Sequence, residues 1–300
     1  MDGIINIYKE PGFTSHDVVA KLRGILHQKK IGHTGTLDPG ASGVLPVCCG
    51  KATKVCGLLT DKDKSYHATC QLGIETDTQD MSGSIIRQCS ITGITQQDII
   101  KCASQFKGRI MQVPPMYSAL KVNGKKLYEL AREGQVIDRK PREVIIHSLE
   151  ITDIDINQGR FSMDVTCSKG TYIRTLCHDI GIRLGNAAAM EKLVRTRVSV
   201  FRIEDAITLG KVQQIAENQP ERLKDYFMPV DMLFSSYKKA WIKPVFAKSL
   251  ANGNKLSGSM FDRIEEEAQT GENILVYDEN GMFKAIYNKE EKEYKVNKMF

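Results

Sequence analysis

The sequence predicts an α+β fold that ends in a small β-rich unit. Three observations carry this. Segments of helical period and segments of strand period are interleaved through residues 4–217. Neighbouring strand segments, such as 143–151 and 160–167, are joined by stretches too short for a crossover helix, which favours antiparallel pairing over a doubly wound sheet. In the last stretch, ILVYDENGMFKAIY (274–287) places Asn280-Gly281 between two alternating apolar runs, the signature of a hairpin with a type I′ turn. With 300 residues the chain fits about two domains, expected at 1–235 and 236–300, with the change of character near 229–240.

Taken in order, IINIY (4–8) reads as a strand. Thr14 and Asp17 form a capping box for a helix over 15–27, with Val18, Val19, Leu22, Ile25 and Leu26 on one face. A glycine-rich loop at 32–43 precedes a buried strand, VLPVCC (44–49), and a short helix over 52–59. Residues 65–74 alternate, with Tyr66, Ala68, Cys70, Leu72 and Ile74 on one face, so they form a half-buried strand. A polar loop, ETDTQDMSG, follows. A second capping box, Thr95 with Asp98, opens a helix with Gly108 as its stop. Strands broken by Pro114-Pro115 span 109–122, and a short basic helix spans 124–134. Strands at 143–151 and 160–167 lead to a helix carrying Ile173, Leu176, Cys177, Ile180 and Leu184. A strand over 196–203 and a helix over 208–217 complete the larger unit.

Composition excludes several classes of function. No apolar run reaches the ~18 residues of a membrane span. The N-terminal residues lack the basic and apolar regions of a secretory signal, so a cytoplasmic protein is expected. Eight cysteines include no C-x-x-C pair and read as reduced core residues. No Walker A, G-x-G-x-x-G or H-E-x-x-H pattern is present, so neither a nucleotide loop nor a metal site is expected. The net charge is +6. Residues 121–143 carry seven Lys/Arg against four acids, and 192–202 carry Lys192, Arg195, Arg197 and Arg202 with no acid. Each stretch alone is compatible with a solvated face; together they point toward a polyanionic partner.

The loop 32–43, GHTGTLDPGASG, sets one acid, Asp38, among four glycines. Asp-Pro-Gly is ordinary turn chemistry, and it also holds a carboxylate where a ligand can approach closely. A partly buried carboxylate needs a cation, which lowers its pKa, and Arg174 at the start of the helix after SKGTYI is the best candidate. Tyr66 and Tyr172 serve either as core aromatics or as a stacking platform for a flat base.

Five ordered blocks resemble the TruB family of tRNA pseudouridine synthases. They are KEPGFTSHDVV (9–19), GHTGTLDPGASGVLPV (32–47), DKSYHATCQLGIETDTQD (63–80), VPPMYSALKVNGKKLYELAREG (113–134) and CSKGTYIRTLCHDIG (167–181). The resemblance implies a core of mixed, mainly antiparallel sheet flanked by helices, and a PUA-like RNA-binding unit at 236–300. It implies isomerisation of uridine 55 in the TΨC loop of tRNA, with no cofactor, no metal and no obligatory protein partner, by a monomer. Asp38 is then the catalytic aspartate and Arg174 its partner. Tyr66 stacks on the flipped uracil and acts as general base. Tyr172 and Leu193 line the pocket, and His33 fills the space left by the extruded base. The insertion 121–143, with Lys125, Lys126 and Arg132, closes on the T arm. An RNA-binding protein that assists folding of the T arm without catalysis is the competing expectation.

Overall fold

The structure, a computed structural model, describes residues 1–122 and 124–300, so position 123 of the basic insertion lies outside the described residues. The chain opens with strand β1 (Gly3–Lys9) and helix α1 (Ser15–Ile25), which Thr14 caps through the expected reciprocal bonds with Asp17. Strands β2 (Ile31–His33) and β3 (Ser42–Cys49) bracket a loop at 34–41, so the glycine-rich stretch begins inside a strand. A 3-10 turn at 50–55 runs into α2 (Cys56–Thr60), then β4 (Lys64–Leu72). Part of the expected polar loop is a hairpin, β5 (Ile74–Thr76) with β6 (Ile85–Gln88).

Helix α3 (Gln96–Ser104) carries the second capping box, but it ends before Gly108, which instead begins β7 (Gly108–Gln112). In the insertion, β8 (Lys121–Val122) pairs with β9 (Lys125–Lys126), so α4 (Leu127–Arg132) is shorter than the helix expected from 124. Strands β10 (Arg142–Asp155) and β11 (Arg160–Cys167) precede α5 (Ile173–Arg183). Strand β12 (Ala188–Val198) starts well before the expected residue 196, and β13 (Phe201–Arg202) folds back on it. Strand β14 (Ile207–Thr208), α6 (Leu209–Asn218) and β15 (Phe227–Met228) close this part.

These strands form one 11-stranded mixed sheet, ordered β14-β1-β3-β12-β4-β11-β10-β7 with β2, β13 and β15 attached at its side. Only β1–β14 and β3–β12 are parallel pairs. Strand β12 is the seam: it pairs with β3 on one edge and with β4 on the other. On the β1–β3 side both faces are covered. Ile5, Ile7, Leu45 and Val47 pack against α1 and α6, while Ile4, Val44 and Cys48 pack against Ala52, Val55 and Leu59. On the β4–β11–β10 side one face packs against α3 and α5. The other carries polar cross-strand pairs, including Ser65–Thr166 at 2.9 Å and His67–Asp164 at 2.7 Å.

The C-terminal part is a separate six-stranded sheet. It comprises β16 (Lys238–Ile242), β17 (Leu256–Ser257), β18 (Phe261–Ile264), β19 (Asn273–Tyr277), β20 (Phe283–Lys289) and β21 (Glu293–Met299), with a short helix α7 (Ala247–Ala251). The β19–β20 hairpin forms where expected, but its turn is not type I′. Gly281 alone takes the left-handed conformation, at φ 72°, while Asp278 accepts from the N–H groups of Asn280 and Met282. That side-chain bonding favours a type I turn followed by a left-handed glycine. Phe283 and Phe300 pack on the cluster that contains Val198, Phe201 and Val230, which joins the small sheet to the large one. All eight cysteines are free thiols and six are buried. Among the described residues no helix is long and apolar enough to cross a membrane.

Candidate active site

Asp38 sits in a turn made by its own neighbours. The N–H of Ala41 bonds to the Asp38 carbonyl at 3.1 Å, with Pro39 and Gly40 between them. The Asp-Pro-Gly chemistry is therefore real, and it points the carboxylate out of the β2–β3 connection. Three buried polar side chains hold this loop by its backbone. Ser15 Oγ accepts from the Leu37 N–H at 2.9 Å. Lys9 Nζ, fully buried, donates to the carbonyls of Phe13 at 2.6 Å, Glu10 at 3.1 Å and Pro39 at 3.2 Å. Arg195, also buried, donates to Val44 O at 2.7 Å and to Thr36 O and Gly35 O at 3.4 Å each. Gly43, at φ 105°, lets the Arg195 backbone approach: a Cβ there would collide with the Arg195 carbonyl oxygen. This glycine makes room for a strand rather than for a ligand.

The expected cation arrives from the other side of the seam. Arg174, in the first turn of α5, meets Asp38 side-on, with Nε 2.9 Å from Oδ2 and Nη2 3.4 Å from Oδ1. The same guanidinium donates to Thr78 O at 2.9 Å and Tyr117 O at 2.7 Å, and lies 3.7 Å from Asp80 Oδ2. Three loops thus converge on one planar donor fork, which fixes it in a single orientation. The Arg174 side chain is 6% exposed and that of Asp38 40%, so the pair has a dry side and an open side.

The electrostatics differ from the sequence expectation in one respect. Burial pushes the Asp38 carboxyl above its ordinary value; Arg174 pulls it down, Asp80 pushes it up and Lys9 pulls it down. Desolvation outweighs the cation here because Arg174 divides its donors between two carboxylates and two carbonyls. Burial also lowers the Lys9 ammonium to about 8. It pushes the Tyr66 phenol up to about 12, against the pull of Arg195 on the adjacent strand. Tyr66 is thus a neutral phenol at pH 7.

The remaining sequence-predicted residues fall into four groups. Tyr66 and Leu193 join Leu37 and Ile173 in one buried cluster, and those last two are the chain neighbours of Asp38 and Arg174. Tyr172 caps α5, with its backbone N–H bonded to Gln112 Oε1 at 2.8 Å and its carbonyl to Gln112 Nε2 at 3.0 Å. His33 ends β2 and meets the ring of His16 edge-on, with centroids 5.0 Å apart. Burial, then His16, holds its imidazole below the ordinary value. Lys125, Lys126 and Arg132 bond inside the insertion: Lys125 with Glu133 at 3.4 Å, Lys126 with the Tyr128 hydroxyl at 3.1 Å, and Arg132 over the Tyr128 ring.

Sequence reasoning missed Lys9, Asp80, Gln112 and Arg195 as parts of the site. Lys9 and Asp80 stand at the ends of two of the family-like blocks, which was the available signal. Arg195 lay within a basic stretch read as surface, whereas its side chain is buried beneath the Asp38 loop. A cavity of about 550 Å³ lies between α1 and α6, and one of about 360 Å³ lies on the polar face of β4, with Tyr66 among its lining residues.

Comparison with known proteins identifies the family. A family model for the N-terminal domain of TruB family pseudouridylate synthases matches residues 23–173, and one for the C-terminal domain of tRNA pseudouridylate synthase B matches 174–235. The chain is 49% identical to a tRNA pseudouridine synthase B of Lachnoclostridium phytofermentans, over 100% of both chains. It is 43% identical to one of Clostridium perfringens, over 100% of this chain and 99% of that one. Among solved structures it resembles a chain from a Cbf5-Nop10-Gar1 complex, with 28% identity and a TM-score of 0.72, covering 99% of this chain and 84% of that one. A chain from an H/ACA RNP bound to a substrate RNA containing 2′-deoxyuridine gives 26% identity and a TM-score of 0.72, over the same shares. The chain belongs to the TruB family of pseudouridylate synthases.

Proposed function

We propose that this chain isomerises uridine to pseudouridine in tRNA, at position 55 of the TΨC loop. The observation that carries the reading is the side-on Asp38–Arg174 pair, dry on one side and open on the other, beside the cluster that holds Tyr66 and Leu193. The reaction breaks the C1′–N1 bond, turns the uracil and joins C1′ to C5. The proton on C5 leaves and N1 gains one, so the change is redox-neutral and balances without a second substrate. Asp38 carries the covalent or proton-transfer chemistry, and Arg174 presents it in one orientation before the RNA arrives. Tyr66 works as a neutral phenol whose ring offers a stacking face, while Tyr172 and Leu193 line the same pocket.

The target base lies inside a folded RNA loop and must be extruded, which costs a few kcal/mol. Stacking on Tyr66, with His33 taking the vacated space, offsets part of this. Phosphate contacts from Lys125, Lys126 and Arg132 supply the remainder. In this reading the chain acts without a protein partner, and its C-terminal sheet serves as a PUA-like RNA-binding unit. The test is to incubate the protein with unmodified tRNA, and separately with a stem-loop carrying only the T arm, and to map pseudouridine. Conversion of one uridine in both RNAs, at position 55, is expected. Conversion elsewhere removes the positional assignment, and no conversion in either RNA removes the activity.

A further inference from the structure

Helix α5 has no side-chain cap of its own: its N-cap residue, Tyr172, offers no hydrogen bond to the first turn. The entry of the helix is held from outside. Gln112, at the end of β7 and 1% exposed, uses both the oxygen and the nitrogen of its amide on the Tyr172 backbone, accepting from the N–H at 2.8 Å and donating to the carbonyl at 3.0 Å. The two bonds together fix which way the amide points, because the donor must face the carbonyl. The carbonyl also accepts from Leu176 N–H at 3.0 Å, the first bond of the helix. Five residues after Gln112, the Tyr117 carbonyl takes a second grip, on the Arg174 guanidinium at 2.7 Å. One segment, 112–117, therefore clamps both the backbone from which Arg174 projects and the guanidinium itself.

We propose that Gln112 is a positioning residue for the reaction centre, acting through the Tyr172 backbone to aim Arg174 at Asp38. The proposal rests on the reading of Asp38 and Arg174 as that centre. Buried amides pair because an unpaired donor or acceptor is costly, but two partners on unrelated residues would satisfy that need equally well. Gln112 instead bonds both the N–H and the carbonyl of one residue, Tyr172, as a strand partner does, at the point where the chain enters the helix. A loss of aim at this point separates Arg174 from Asp38 without touching either side chain.

The test uses two variants of the full chain, Gln112→Leu and Gln112→Glu, the second keeping an acceptor for the Tyr172 N–H. Single-turnover conversion of a T-arm stem-loop should slow by about tenfold or more in Gln112→Leu, and by less in Gln112→Glu. Affinity for the RNA should stay within about twofold. The second readout is independent of activity: the titration of Asp38 followed by carbon NMR of labelled aspartate, assigned by its loss in Asp38→Asn. The charged groups facing Asp38 are Arg174 from α5, Asp80 from the loop after β5, and Lys9 from β1. With Arg174 misaimed, the Asp38 midpoint moves up. An unchanged Asp38 midpoint overturns the proposal even if the variant is less stable, because a merely structural glutamine would lower melting alone. If Gln112→Leu does not fold, Gln112→Glu carries the same two readouts. A wild-type protein that converts no uridine removes the functional reading, while the titration still decides the role of Gln112.

Discussion

The two sides of the large sheet are built differently, and the Asp38–Arg174 pair lies where they meet. The β1–β3 side is buried on both faces: every residue of β3 is inaccessible. It presents Asp38 on a loop whose backbone is bonded by Lys9, Ser15 and Arg195. The β4–β11–β10 side is buried on one face, and its strands alternate. It presents Arg174 on a helix, held by the carbonyls of two loops and by Gln112 on the preceding peptide. The acid's loop is thus held through its backbone by buried cations and a hydroxyl, of which Lys9 also bears on the acid's charge, whereas the cation is fixed by oxygens that complement its own. Ser15 bears on aim alone, whereas Arg174 and Lys9 bear on both aim and charge.

The largest expected effect is on the acid. Asp38→Asn keeps the shape of the turn and removes the charge, so tritium release from 5-labelled uridine in tRNA should fall by about a thousandfold or more while RNA binding persists. Normal turnover would end the catalytic assignment of Asp38. Removing the cation comes next. Arg174→Met should slow conversion by about a hundredfold and move the acid limb of the pH–rate profile upward, since burial raises the Asp38 carboxyl and Arg174 is the main influence lowering it. The stability loss should stay below the ~3–5 kcal/mol of a fully buried pair, because Asp38 is 40% exposed. A limb that stays in place would show that the pair does not set the charge of Asp38.

On the acid's own side, Lys9 tests whether the cations beneath the loop act through burial. Its folded value of about 8 lies below the ordinary 10.5, so between those values the unfolded chain holds a proton that the folded chain lacks. Wild-type stability should therefore rise with pH across that window relative to Lys9→Met, by on the order of 3 kcal/mol in denaturant titrations. A flat difference would mean that the ammonium is not desolvated. The smallest effect is expected far from the seam. Neutralising Lys125, Lys126 and Arg132 together should flatten the slope of log K against log salt by about 0.7–0.9 for each phosphate that is no longer neutralised. An unchanged slope would remove the insertion from the RNA interface.

Legibility in the sequence followed the range of the interactions. Both capping boxes were readable because Thr14 bonds Asp17 and Thr95 bonds Asp98 within three residues. The strands β4 and β11 were readable because each has one polar face. The first half of β12 was not: Ala188, Ala189 and Met190 followed by Glu191 and Lys192 have little strand character. They lie there because α5 packs so closely that a Cβ on Gly181 would collide with the Cβ of Ala188. The hairpin turn was misread because Asp278 competes for the backbone donors that a type I′ turn leaves free. Within the site, Asp38, Tyr66 and Arg174 were legible through family-like blocks. The supports were not, since Lys9 reaches Pro39 across 30 residues and Arg195 reaches Val44 across 151.

The seam strand has a consequence for how the enzyme comes into being. Strands β1 and β3, and then β4, β11 and β10, are all synthesised before β12, yet the edges of β3 and β4 are joined only by β12 lying between them. Pairings between segments so distant in sequence form late, because long loops must close first. Asp38 and Arg174 are therefore carried on opposite sides of a strand that is made after both of them. A chain that has not yet reached residues 188–198 lacks the strand that joins the side bearing the acid to the side bearing the cation.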